Sequence, residues 1–117
     1  NVRGINSSLR WNAIRGKIVE SNADIICLQE TKREMFTDSY LRNFCPPTFT
    51  LFDFIPSVGN SGGALMAWNA NKFQGQSTFQ NRFAHSVELQ CKMSGEMWIL
   101  TNIYAPCNPE AKLEFLD

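Results

Sequence analysis

The stretch Asp24-Ile25-Ile26-Cys27-Leu28-Gln29-Glu30 decides the fold. Its interior is apolar at consecutive positions, which is typical of a strand that is covered on both faces. The pattern therefore predicts a buried central strand, with Cys27 as a small core residue. Polar Gln29 and charged Glu30 end the strand, at the place where α/β folds usually bind their ligands.

A helix is predicted before this strand, from about Leu9 to Glu20, with Ser8 as its N-cap and Ser21-Asn22 at its end. Its apolar side chains recur at helical spacing. Asn1-Val2-Arg3 look like the tail of a strand that begins upstream. Strand, helix and buried strand in this order predict a layered α/β core.

The rest of the chain alternates short apolar runs with turn residues. A turn is predicted from Ser57 to Gly63, and one face of the last strand is expected to carry Trp98, Leu100, Asn102 and Tyr104. The remaining predicted elements are a helical stretch at Ser39 to Phe44, strands at Thr48 to Ile55, Ala64 to Trp68, Gln74 to Phe79, His85 to Lys92 and Met97 to Tyr104, and a helix opening at Glu110 to Asp117.

Composition excludes several classes of protein. The 117 residues carry 11 basic and 11 acidic side chains, so a generic basic coat for nucleic acid is not expected. The apolar runs are too short to cross a bilayer, and we expect no membrane partner. The four cysteines lie far apart and are interpreted as free thiols, while the single histidine, His85, is interpreted as a strand residue.

Glu30 is the strongest candidate for chemistry. A carboxylate on a rigid strand end can bind a hard divalent cation such as Mg²⁺ or Mn²⁺. The simpler interpretation is a Glu that is solvated or paired with nearby Lys32 or Arg33.

Tyr104 and Asn102 offer a phenol and an amide at the end of an apolar strand, and both groups can bind a phosphate oxygen. The alternative is a Tyr packed at a sheet end with its hydroxyl in water. Arg3, Arg10 and Lys32 could steer a phosphate backbone, although single charges usually form a solvated face.

Four segments in order carry a resemblance to a known family: Asn1-Val2-Arg3-Gly4, Ile26 to Lys32, Ser61-Gly62-Gly63-Ala64, and Thr101 to Pro106. Together they resemble the endonuclease/exonuclease/phosphatase superfamily. Within it, the first segment and the run Asn102 to Cys107 look most like the endonuclease domain of plant LINE-type non-LTR retrotransposons. Those domains are similar to the apurinic/apyrimidinic (AP) endonucleases of base-excision repair.

The resemblance implies an α/β sandwich of two mixed sheets with outer helices. It implies Mg²⁺-assisted hydrolysis of a phosphodiester, here nicking of DNA in the nucleus to leave a 3′ hydroxyl that primes reverse transcription. By the same resemblance Glu30 is the metal ligand, and Asn1 and Tyr104 belong to the catalytic centre. Asn102, Asn108, Arg3 and Lys32 are candidates for substrate binding.

The sequence also departs from the family. The Gly-Asp-Phe-Asn type segment and the later Asp-His pair that help activate water in the family do not occur in these 117 residues. Cys107 follows Pro106, and Asn108 comes one position later than the family's Asn, which weakens a phosphate contact from it. We therefore expect residues 1–117 to be one incomplete domain, truncated at both ends and lacking its C-terminal half, and inactive alone. The alternatives are a phosphatase or phosphodiesterase of the same superfamily, or a non-catalytic relic or binding fragment.

Overall fold

The computed structural model describes residues 4–104, which form two small sheets and two helices. Residues 1–3 and 105–117 are outside the described part, and with them the predicted helix opening at Glu110 to Asp117. In chain order the elements are α1 (Ser8–Ser21), β1 (Ile25–Gln29), α2 (Asp38–Leu41), β2 (Leu51–Ile55), β3 (Ala64–Trp68), β4 (Phe73–Gln80), β5 (Ala84–Cys91) and β6 (Met97–Ile103).

The first sheet has the antiparallel order β1-β3-β2, with β3 in the middle. Every residue of β3 is buried, whereas β1 pairs with β3 alone among the described strands and leaves Cys27 exposed. The prediction of Cys27 in the core is therefore wrong, and among the strands of residues 4–104 it is β3, not β1, that has a partner on each side. The apolar run is explained by the two faces of β1, because Ile26 packs with the α1 side chains and Ile25 packs against the apolar layer between the sheets.

The second sheet has the antiparallel order β4-β5-β6. Val87 and Leu89 of β5 pack against Met66 and Trp68 of β3, so the two sheets face each other across an apolar layer. The predicted parity of β6 is confirmed from Leu100 onward: Asn102 and Tyr104 are buried and Ile103 is exposed. The outer face of β6 exposes further large apolar side chains, Met97 and Ile99.

Helix α1 covers the outer face of the first sheet through Ile14 and Ile18. Its N-cap is Ser7 rather than the predicted Ser8, because the Ser7 hydroxyl accepts the hydrogen bond from the Arg10 amide. Asn22 ends the helix in the left-handed conformation, and the predicted end is confirmed. The second helix spans four residues and stops at Leu41, earlier than predicted.

Two facing sheets with a helix outside confirm the predicted α/β sandwich class, and both sheets are antiparallel within residues 4–104. The largest core cluster lies between the helices and the first sheet and centres on Leu41, Phe44 and Leu65, each with no exposed surface. Within the described part of the chain, no helix is both long and apolar enough to cross a membrane.

Candidate functional site

Three of the four segments that carry the resemblance meet at one end of the sandwich. Glu30 follows β1, Gly62 and Gly63 precede β3, and Tyr104 follows β6. The amides of Thr31 and Lys32 donate to the carbonyls of Gly63 and Gly62 at 3.1 and 2.9 Å. The fourth segment enters through Gly4, whose amide donates to the Glu30 carbonyl at 2.6 Å.

Glu30 and Tyr104 form the centre of this site. The phenol of Tyr104 donates to Glu30 Oε1 at 2.9 Å, although 74 residues separate the two along the chain. The Tyr104 side chain is buried, and its amide donates to the Phe83 carbonyl at 2.7 Å, which joins it to the start of β5. The Tyr104 hydroxyl therefore contacts the carboxylate instead of lying free in water, and Glu30 pairs with a phenol rather than with Lys32 or Arg33.

The backbone at the site is strained. Glu30 and Lys32 have φ values of 54° and 56°, a region that non-glycine residues rarely adopt. Conformations of this kind persist only where the surroundings hold them, and they concentrate at functional sites. Here the surroundings are the glycine turn, because a Cβ on Gly63 would come within 2.5 Å of the Thr31 hydroxyl oxygen. The predicted turn from Ser57 to Gly63 is confirmed, and its carbonyls hold the Glu30 segment in place.

A polar groove of about 450 Å³ opens at the start of α1, and its lining includes Gly4, which bonds the Glu30 carbonyl, and Lys32, two residues after Glu30. Arg10 and Lys32 line it with exposed basic side chains, and Asn6 and Asn60 add amides. Asn60 was not singled out from the sequence; its position two residues before Gly62 is the signal that could have found it. A groove with two cations and a helix N-terminus favours an anionic ligand.

Behind Tyr104, four polar side chains from four strands connect the two sheets. Asp53 Oδ2 lies 2.6 Å from His85 Nδ1, and His85 Nε2 lies 3.1 Å from the Asn102 amide nitrogen. That nitrogen also donates to the Leu28 carbonyl at 3.2 Å, while Asn102 Oδ1 accepts from Gln29 Nε2 at 3.2 Å. His85 is a strand residue, as predicted, and has no exposed surface.

The predicted site residues thus fall into three groups. Glu30, Tyr104 and Lys32 lie together at the site, with Lys32 on the groove. Asn102 lies in the interior, where its amide bonds other protein groups; a substrate contact from it stays a prediction. The other three predicted residues, Asn1, Arg3 and Asn108, are outside the described residues.

Among the described residues, the site offers one side chain that fits a divalent cation, the carboxylate of Glu30. Within residues 4–104, no three His, Cys, Asp or Glu side chains come close enough together to hold a metal. Mg²⁺ usually keeps several waters and takes only one or two protein carboxylates. Glu30 Oε1 accepts the bond from Tyr104, and no other side chain among residues 4–104 bonds the Glu30 carboxylate.

Comparison with known proteins finds the fold but not a sequence family. No protein-family model matches the sequence, and no curated protein matches it. Among solved structures, the chain is similar to the AP endonuclease LMAP from Leishmania major, with a TM-score of 0.70 and 16% identity. The match covers 98% of this chain and 42% of that chain, so this chain spans less than half the length of its structural neighbour. The likeness concerns the fold alone.

Proposed function

We propose that the chain is the N-terminal part of a metal-dependent DNA endonuclease domain of the endonuclease/exonuclease/phosphatase superfamily. The observation that carries the proposal is the contact of Tyr104 with Glu30, two residues from Lys32, which lines a polar groove together with Arg10. The similarity of the fold to an AP endonuclease, an enzyme that by its name acts on DNA, supports the same reading.

Each group has a distinct task in this proposal. The Glu30 carboxylate binds a divalent cation, which supplies charge to polarise the phosphoryl oxygen and stabilise the leaving oxygen. Tyr104 orients that carboxylate and offers a neutral donor near the scissile phosphate. Arg10 and Lys32 contact neighbouring phosphates, which position the strand without reading its sequence.

The metal role is tested with Mn²⁺, whose unpaired electrons broaden NMR signals near the site where it binds. We expect broadening around Glu30 in the wild type and its loss in Glu30→Gln. Glu34→Gln is the matched control, because Glu34 is exposed four residues away and has no place in the proposed site. Broadening that survives in Glu30→Gln, or disappears equally in both variants, would refute the metal role.

The DNA role is tested by fluorescence anisotropy with a short duplex at several salt concentrations. Lys32→Glu should weaken binding and lower the salt dependence, because one phosphate contact is lost. Lys92→Glu is the control, since Lys92 follows β5 at the opposite end of that strand from the site. Equal losses in both variants would mean that the groove makes no specific contact, and displacement by inorganic phosphate at low concentration would favour a phosphatase instead.

Activity is expected to be absent from these 117 residues, because the Gly-Asp-Phe-Asn and Asp-His segments that activate water in the family are not among them. Supercoiled plasmid incubated with the chain and Mg²⁺ should stay supercoiled. Nicking that disappears in Glu30→Ala would overturn this expectation and show a working hydrolytic centre.

The branch and the cellular site are further parts of the proposal. Asn1-Val2-Arg3-Gly4 and the run Asn102 to Cys107 favour the LINE-type retrotransposon endonucleases over the repair enzymes. Such a domain acts on chromosomal DNA, so we propose a nuclear site for the protein that contains it. Imaging of the tagged parent protein tests this, and persistent exclusion from the nucleus would contradict it.

A further inference from the structure

The polar chain between the sheets has hydrogen-bond directions that the structure determines. Carbonyl oxygens only accept, so the Asn102 side chain must turn its nitrogen toward the Leu28 carbonyl at 3.2 Å, with the Leu65 carbonyl farther away at 3.5 Å. The amide nitrogen has two hydrogens, and its two nearest acceptors are the Leu28 carbonyl and His85 Nε2. Gln29 likewise turns its nitrogen toward the Ile103 carbonyl. Asn102 Oδ1 is then the acceptor of the second bond from Gln29.

These directions determine the tautomer of His85. Its Nε2 faces the donating nitrogen of Asn102 at 3.1 Å, so Nε2 must be the acceptor and carry no proton. The ring proton is then on Nδ1, where it is donated to Asp53 Oδ2 at 2.6 Å. With its ring in this state, His85 joins β2 to β6 through the interior of the sandwich.

The polar chain that Asp53, His85, Asn102 and Gln29 form ends next to both residues of the Glu30–Tyr104 contact. Gln29 is covalently next to Glu30, and its amide donates to the carbonyl of Ile103, which is covalently next to Tyr104. Asn102, two residues before Tyr104, is held by the Leu28 carbonyl of β1. The ends of β1 and β6 belong to different sheets, and among the described residues these side-chain bonds tie the two ends together behind the site.

We infer that Asp53, His85, Asn102 and Gln29 are positioning residues, which hold the Glu30 carboxylate and the Tyr104 hydroxyl at contact distance by locking the ends of β1 and β6 together. The inference rests on the proposed function for its consequence, metal binding, but the positioning itself is a property of the metal-free chain. It predicts that removing the His85 link disturbs the Glu30–Tyr104 contact through the intervening bonds, with no contact between His85 and the metal ligand.

The chain has one histidine and two tyrosines, so NMR signals from labelled histidine and tyrosine can be assigned without ambiguity. A ¹⁵N-histidine label reports one imidazole, and we expect a protonated Nδ1 and an unprotonated Nε2 in the folded wild type. The opposite tautomer would overturn the inference. A ¹³Cζ-tyrosine label gives two signals, of which Tyr40, bonded to the Ile5 carbonyl at 3.1 Å, is the internal reference.

The decisive variants are His85→Leu and Val87→Ala. His85→Leu removes both polar links and should move the Tyr104 signal toward its position in Glu30→Ala, leaving the Tyr40 signal in place. Val87→Ala destabilises the same inward face of β5 without touching a polar group, so the Tyr104 signal should not move. Gln29→Met serves if His85→Leu does not fold, because Gln29 is only half-buried. An unmoved Tyr104 signal in the folded variant, or an equal shift in Val87→Ala, would overturn the inference.

Metal affinity separates this inference from the proposed function. In the same variants Mn²⁺ should bind about tenfold more weakly after His85→Leu or Gln29→Met, the loss typical when groups behind a ligand are removed. Val87→Ala should keep the wild-type affinity. If Mn²⁺ binding does not depend on Glu30 but the Tyr104 signal still moves in His85→Leu, the proposed function fails and the positioning role stands. If Mn²⁺ binding depends on Glu30 and the Tyr104 signal stays in place in His85→Leu, the positioning role fails and the proposed function stands.

Discussion

Gly63→Ala should destabilise this molecule strongly for a single added methyl group. Gly63 has φ of 88°, and a Cβ there would come within 2.5 Å of the Thr31 hydroxyl oxygen and 3.3 Å of the Lys32 amide nitrogen. The positive φ costs an L-residue roughly 1–2 kcal/mol. The collision adds roughly 1–3 kcal/mol, because Thr31 is fully buried and its hydroxyl must shift within a packed interior. We expect the free energy of unfolding to fall by roughly 2–5 kcal/mol.

Gly59→Ala is the matched control for this experiment. Gly59 lies in the same turn with φ of 61°, and a Cβ there would meet nothing within 4 Å. Gly59→Ala should cost only the strain of an L-residue at positive φ, roughly 1–2 kcal/mol. The change in the entropy of the unfolded chain is the same for both variants, so it cancels when they are compared. Urea unfolding followed by tryptophan fluorescence measures both. If Gly63→Ala is no more destabilising than Gly59→Ala, the reasoning about the packed turn is wrong.

Two further predictions concern the core and the thiols. Leu65→Ala should lower the free energy of unfolding by roughly 2–5 kcal/mol, since Leu65 has no exposed surface, whereas exposed Ile99→Ala should change it by less than about 0.5 kcal/mol in the same urea titration. In the folded chain a thiol reagent near pH 8 should label Cys91 before Cys45. The reason is that hydrogen bonds from Ser94 lower the pKa of Cys91, whereas burial raises the pKa of Cys45 to about 12. Faster labelling of Cys45 than of Cys91 would contradict the packing around Cys45.

The secondary structure could be predicted closely from the sequence, because it depends on neighbours along the chain. The strand Ala64 to Trp68 was predicted with its observed bounds, and α1 differs by a residue at its start and its end. The inward face of β6 followed from alternation alone, and it correctly placed Asn102 and Tyr104 on one side. The burial of Cys27 was predicted wrongly, because an apolar run does not show which of its side chains the neighbouring elements cover.

The sequence by itself determined which segments carry the candidate chemistry, since Glu30 ends a strand, Gly62 and Gly63 make a turn, and Tyr104 ends another strand. Only the tertiary structure decided which contacts these segments make with one another. The Tyr104 hydroxyl meets the Glu30 carboxylate, and Asp53 meets His85, across separations of 74 and 32 residues. Contacts at such distances depend on which strands pair and how two sheets face each other, and local propensity carries no information about either.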